Sequence, residues 1–142
     1  MDANMKRPPS VEDANRAERI RMVLEALVEI NRRVPVIVEG KKDATALRNL
    51  GLSGEVLALH NGKGMYEFCE DLMDRYSKVV LLTDWDTRGE ELHRALASHL
   101  GGLYEEFSDI RALMKILCQK DIKDIEGIPK LLGRLEAAYP LE

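Results

Sequence analysis

Two apolar runs, V-P-V-I-V at 34–38 and V-V-L-L at 79–82, are each followed closely by an acid: Glu39 directly after the first, Asp84 one threonine after the second. Neither run alternates with polar residues, and both are rich in branched side chains. Such a run reads as a strand buried on both faces, which requires helices above and below a parallel sheet. Between and after the runs the pattern changes to helical spacing. Ala46, Leu47 and Leu50 recur at that spacing and stop at Gly51. A second strand is read at 55–59, followed by the turn Asn61-Gly62-Lys63-Gly64. Met65, Phe68, Cys69, Leu72, Met73 and Tyr76 mark one helix face, and after the strand at 78–83 Leu92, Ala95, Leu96 and Leu100 trace another, ending at Gly101-Gly102. The order β-α-β-α-β-α with right-handed crossovers predicts an α/β, Rossmann-like parallel sheet with helices on both faces. A fourth strand is expected at 103–107.

Helices flank this unit. Ser10, with Asp13 three residues on, is a plausible N-cap for a helix carrying Val11, Ala14, Ala17, Ile20, Leu24, Leu27 and Ile30. Ser108 is expected to cap a helix through Cys118, and Pro129 to open a last one. The 142 residues suit one domain: an N-terminal helix at 1–33, a core at 34–107 and closing helices at 108–142.

Composition narrows the class. With 45% hydrophobic and 32% charged residues the chain reads as globular, and a net charge of −4 argues against coating nucleic acid by charge alone. No apolar stretch is long enough to span a membrane, and the polar start lacks the apolar segment of a secretory signal, so a cytoplasmic protein without a membrane partner is expected. Cys69 and Cys118 fall within apolar helical patterns and read as buried thiols. Two cysteines and three scattered histidines do not make a structural zinc site.

The acids carry the chemistry. In an open parallel sheet, ligands bind beyond the carboxyl ends of the strands, where Glu39 and Asp84 both fall. Asp84 and Asp86 are two apart on an extended segment, so both side chains can face one hard cation. Magnesium suits such oxygen ligands, with manganese as a substitute, because it keeps waters and shares its shell with substrate phosphate. Without the ion, converging acids repel and at least one carboxyl pKa rises. The bland alternatives are a solvated loop acid, Asp86 or Thr87 as a helix cap, and Thr87 with Glu90 as a capping box.

The run V-I-V-E-G-K-K-D, followed by V-V-L-L-T-D-W-D-T-R-G-E-E-L, resembles the Toprim family of topoisomerases, bacterial primases and nucleases over about residues 34–105. Glu39-Gly40 and Asp84, Asp86 and Gly89 match its two motifs in order and spacing. The nearest resemblance is to small stand-alone Toprim proteins and to the ribonuclease that matures bacterial 5S ribosomal RNA, although Trp85 stands where that ribonuclease often has Pro. The resemblance implies a Toprim-like sheet of about four strands, a general acid or base at Glu39, and magnesium ligands at Asp84 and Asp86.

Lys41, Lys42, Lys63 and Arg88 share the expected rim and offer charges to phosphate, or serve as ordinary surface. Trp85 either packs or stacks on a base. His60, His93 and His99 show no ligand spacing, and Asp121, Asp124 and Glu126 form a second acidic stretch that either approaches the site or, as the first reading, is a solvated connection before the last helix. The functional expectation is magnesium-dependent phosphodiester chemistry on RNA or DNA, nuclease-like and suited to RNA processing. Two alternatives stand beside it: a non-catalytic module binding nucleic acid, a protein partner or a second copy, and a haloacid-dehalogenase-type phosphatase with Asp84 as nucleophile.

Overall fold

The computed structural model describes residues 10–59 and 62–137. His60 and Asn61, and the polar start of the chain, lie outside them. In chain order the elements are α1 (Val11–Asn31), β1 (Val36–Val38), α2 (Lys41–Asn49), β2 (Val56–Ala58), α3 (Met65–Arg75), β3 (Val80–Leu81), α4 (Thr87–Leu100), two 3₁₀ turns (Gly101–Leu103 and Glu105–Phe107), α5 (Ser108–Cys118) and α6 (Ile128–Glu136).

The strands form a parallel sheet in the order β2-β1-β3, with Ile37 opposite both Leu57 and Leu81. Alternation along the strands divides the core in two, as a pleated strand requires. Val36, Val38, Val80 and Leu82 join the side chains of α1, α5 and α6, while Ile37, Val79 and Leu81 join Phe68, Leu72, Leu96 and Leu100 of α3 and α4. Both faces of the central strand are therefore covered, and β1 can be apolar throughout. Leu47 of α2 lies in the first cluster and Leu96 of α4 in the second. The connections leaving β1 and β3 thus diverge to opposite faces, which opens a crevice at the carboxyl ends of these two neighbours.

Local chemistry sets the ends of the elements. The capping box of Ser10 and Asp13 starts α1, and Gly51, at φ +110°, turns the chain after α2. The helix at Ser108 begins as expected, but Phe107 holds the cap position and no side chain caps it. The expected fourth strand is absent among the described residues. Residues 103–107 instead wrap the edge of β3, with Leu103 and Tyr104 packed on the α3/α4 cluster and Phe107 on the other. Gly101, at φ +58°, and Gly102 lead the chain into two 3₁₀ turns rather than an extended edge strand. The Leu103 carbonyl accepts the Val79 N–H at 3.0 Å and so occupies part of the edge. No helix of the described residues is long and apolar enough to cross a membrane.

Candidate metal and phosphate site

Glu39 follows β1 directly and is 9% exposed. Its Oε2 accepts the backbone N–H of Asp84 at 2.8 Å, tying the ends of β1 and β3 together. Both residues line a cavity of ≈ 310 Å³ with Gly40, Lys41, Lys42, Asp43, Arg88, Asp124 and Glu126. A larger cavity of ≈ 530 Å³ lies along α1, lined by Arg21, Met22 and Glu136 among others, remote from the strand ends. The chemistry of the smaller one marks it as the candidate site.

Asp84 is held on several sides. Its Oδ1 accepts the Ile125 N–H at 2.9 Å, and its carbonyl accepts from Arg111 Nη2 at 2.6 Å. Burial pushes its carboxyl up to about 7; the Ile125 amide opposes the rise, and the charges of Asp43, Glu39 and Asp124 add to it. The repulsion foreseen from the sequence is present, but its partners include Asp43 and Asp124. Asp43, 7% exposed, accepts the Gly40 N–H at 3.2 Å. Burial likewise raises its carboxyl, against the pull of that amide.

Asp86 is exposed and caps α4, accepting the Gly89 N–H at 2.7 Å. It is not among the residues lining the acidic cavity. Glu90 does not close a capping box with Thr87; its carboxylate meets Lys115 at 2.9 Å and Arg111 at 3.2 Å, and these cations hold it below the usual range, the Lys115 contact most of all. Gly89 is constrained by packing, since a Cβ there would lie 2.2 Å from the Asp84 carbonyl oxygen. Around Gly40 a Cβ would meet nothing within 4 Å.

Lys41, Lys42 and Arg88 line the cavity, whereas Lys63 lies outside its lining and ion-pairs with Asp71 on α3. Trp85 packs: it is 6% exposed, its indole N–H donates to the Ile122 carbonyl at 2.7 Å, and its backbone N–H to that of Lys123 at 3.0 Å. His93 stacks edge-on against Tyr104, and His99 meets the Ala95 carbonyl. Cys69 and Cys118 are buried thiols, and burial lifts that of Cys118 to about 12.

The segment after α5 is not the solvated connection read from the sequence. Asp121 is clamped by Arg16 of α1 and Arg134 of α6, and the chain then crosses the site, bringing Asp124 and Glu126 to the cavity. Sequence reasoning also passed over Asp43 and Arg111. Asp43 stood in view, four residues after Glu39 and in the first turn of α2. Arg111 borders the stripe of Ile110, Met114 and Cys118 on α5, a position as suited to a surface arginine as to a buried one.

The donors are all carboxylate oxygens beside lysine and arginine, which fits a hard divalent cation sharing its shell with phosphate. Among the described residues no three His, Cys, Asp or Glu side chains form a ready cage. Magnesium needs none, since one or two carboxylates with water and substrate oxygens suffice.

The family model described as "Toprim domain" matches residues 34–115. A UPF0292 protein of Methanosarcina barkeri is 36% identical over 127 residues, covering 84% of this chain and 85% of its own length. One from Pyrococcus abyssi is 32% identical and covers 82% of this chain and 89% of its own. A solved structure of a protein from Aquifex aeolicus superposes with a TM-score of 0.62 at 29% identity, covering 74% of this chain and 94% of that one.

Proposed function

Since the chain belongs to the Toprim family and is related to the small archaeal UPF0292 proteins, we propose that its acidic crevice performs magnesium-dependent phosphodiester chemistry on nucleic acid. The observation that carries this reading is the bond from the Asp84 amide to Glu39 Oε2, which joins two acids from adjacent strand ends in one cavity with Lys41, Lys42 and Arg88. The ion would be held by Asp84, with Asp86 contributing through Oδ2, the oxygen its cap does not use, and it would supply charge neutralisation and polarisation at a phosphoryl oxygen. Glu39 gives one oxygen to the Asp84 amide, and its second oxygen is the place to hold or return a proton during phosphoryl transfer. Lys41, Lys42 and Arg88 orient the phosphate backbone by charge-assisted contacts.

The test is cleavage of end-labelled RNA and DNA panels with magnesium, with manganese and with chelator. Turnover by the wild type that is lost in Glu39→Gln and Asp84→Asn is expected. Wild-type turnover no higher than that of these two variants on every substrate would sink the catalytic reading. The second reading, a binding module without turnover, is favoured by the use of Asp86 as a helix cap. Metal-sensitive binding of the same panels without cleavage would establish it. The Toprim reading gives Glu39-Gly40 a role that the phosphatase alternative does not.

A further inference from the structure

Arg111 is the least expected charge among the described residues: an arginine only 5% exposed, on a helix where it shares the buried face with Ile110, Met114 and Cys118. Burying such a charge is costly unless every donor finds a partner. Its partners are specific. Nε donates to the Thr83 carbonyl at 2.9 Å, and Nη2 donates to the Asp84 carbonyl at 2.6 Å and to Glu90 Oε1 at 3.2 Å. These carbonyls belong to the last two residues before Trp85, where the chain leaves β3. From the other side Glu39 accepts the Asp84 amide N–H, and the Ile125 N–H donates to the Asp84 carboxylate.

Both peptide planes that set the direction of the Asp84 side chain are therefore held by one rigid fork. We infer that Arg111 is a positioning residue of the site, orienting Asp84 toward a divalent cation without touching it. This rests on the proposed role of Asp84 as a metal ligand. The fork matters more than the charge, because two carbonyls and a carboxylate are spanned by a planar guanidinium and not by an ammonium. Groups that orient metal ligands typically govern affinity by about 10- to 100-fold.

Arg111→Lys tests it in the full chain, read by calorimetric titration with Mn²⁺ alone and by amide hydrogen exchange of Asp84, Trp85 and Ile125 in metal-free protein. About tenfold or greater weakening of Mn²⁺ binding is expected, with faster exchange at these amides. A core variant, Leu135→Ala, is expected to lose thermal stability and keep wild-type affinity, which separates positioning from general loosening. Glu90→Ala removes the carboxylate that holds the same fork from its far side and is expected to weaken Mn²⁺ binding about tenfold; it decides alone if Arg111→Lys does not fold. Mn²⁺ binding by either folded variant within twofold of wild type, or equal weakening in Leu135→Ala, would overturn the role of Arg111. Absence of Mn²⁺ binding by the wild type would remove the ion site and this inference together.

Discussion

The carboxylate of Glu39 accepts the backbone N–H of Asp84 at 2.8 Å, so an acid on the central strand holds the loop that carries an acid on its neighbour. Replacing Glu39 separates its structural work from its chemical work. Glu39→Gln keeps an oxygen for the amide and should unfold within about 1 kcal/mol of wild type, whereas Glu39→Ala strands the amide and should cost about 1–3 kcal/mol. Urea melts read this difference. Phosphodiester cleavage should fall in both variants.

The Asp84 carboxyl, pushed up to about 7 by burial first and neighbouring acids second, gives the site a pH signature. An unfolded aspartate titrates near 3.9, so the native state binds this proton more tightly. The stability this group contributes is complete below about pH 4 and is lost as pH rises toward 7. The stability of metal-free wild type relative to Asp84→Asn should therefore decline from pH 4 to pH 8. Magnesium competes with the proton, so its stabilising effect should be larger at pH 8 than at pH 5.5. Thermal melts with equal magnesium at both values give the result, and a pH-independent shift would contradict the assignment.

The two motif glycines should differ. A Cβ on Gly89 would lie 2.2 Å from the Asp84 carbonyl oxygen, which is backbone and cannot swing away, while Gly40 has open space. Gly89→Ala should cost about 1–3 kcal/mol and weaken divalent binding. Gly40→Ala should stay within about 0.5 kcal/mol. Thermal unfolding of the pair, with Mn²⁺ titration of each, compares them directly.

Nucleic-acid binding should distinguish the four cations. Neutralising Lys41, Lys42 or Arg88 to Gln should lower the slope of log affinity against log salt by about one each, because all three line the cavity. Lys63→Gln should leave the slope near wild type, since Lys63 pairs with Asp71 outside that lining. Fluorescence anisotropy across a salt series measures all four.

Much of the architecture was legible in short stretches of sequence. The unbroken apolar runs at 34–38 and 79–82 demanded strands covered on both faces, and the two core clusters are that cover. Glu39 and Asp84 could be placed because the residues after a parallel strand emerge at the ligand-binding edge whatever the details of packing. Residues 103–107 misled because their composition suits a strand, whereas the turn that begins at Gly101, with φ +58°, carries on through two 3₁₀ turns.

What the chain by itself determined was therefore periodic and local: the strands, the helix faces, the capping box of Ser10 and Asp13, and the acids at the strand ends. What only the tertiary structure decided was which distant groups meet them. Asp124 and Glu126 come to the cavity because Asp121, anchored by Arg16 and Arg134, fixes the path of that segment. Arg111 braces Asp84 because α5 packs against β3. Such meetings depend on how helices dock across the sheet, and docking is set by the shape of the whole core, which no single stretch of sequence contains.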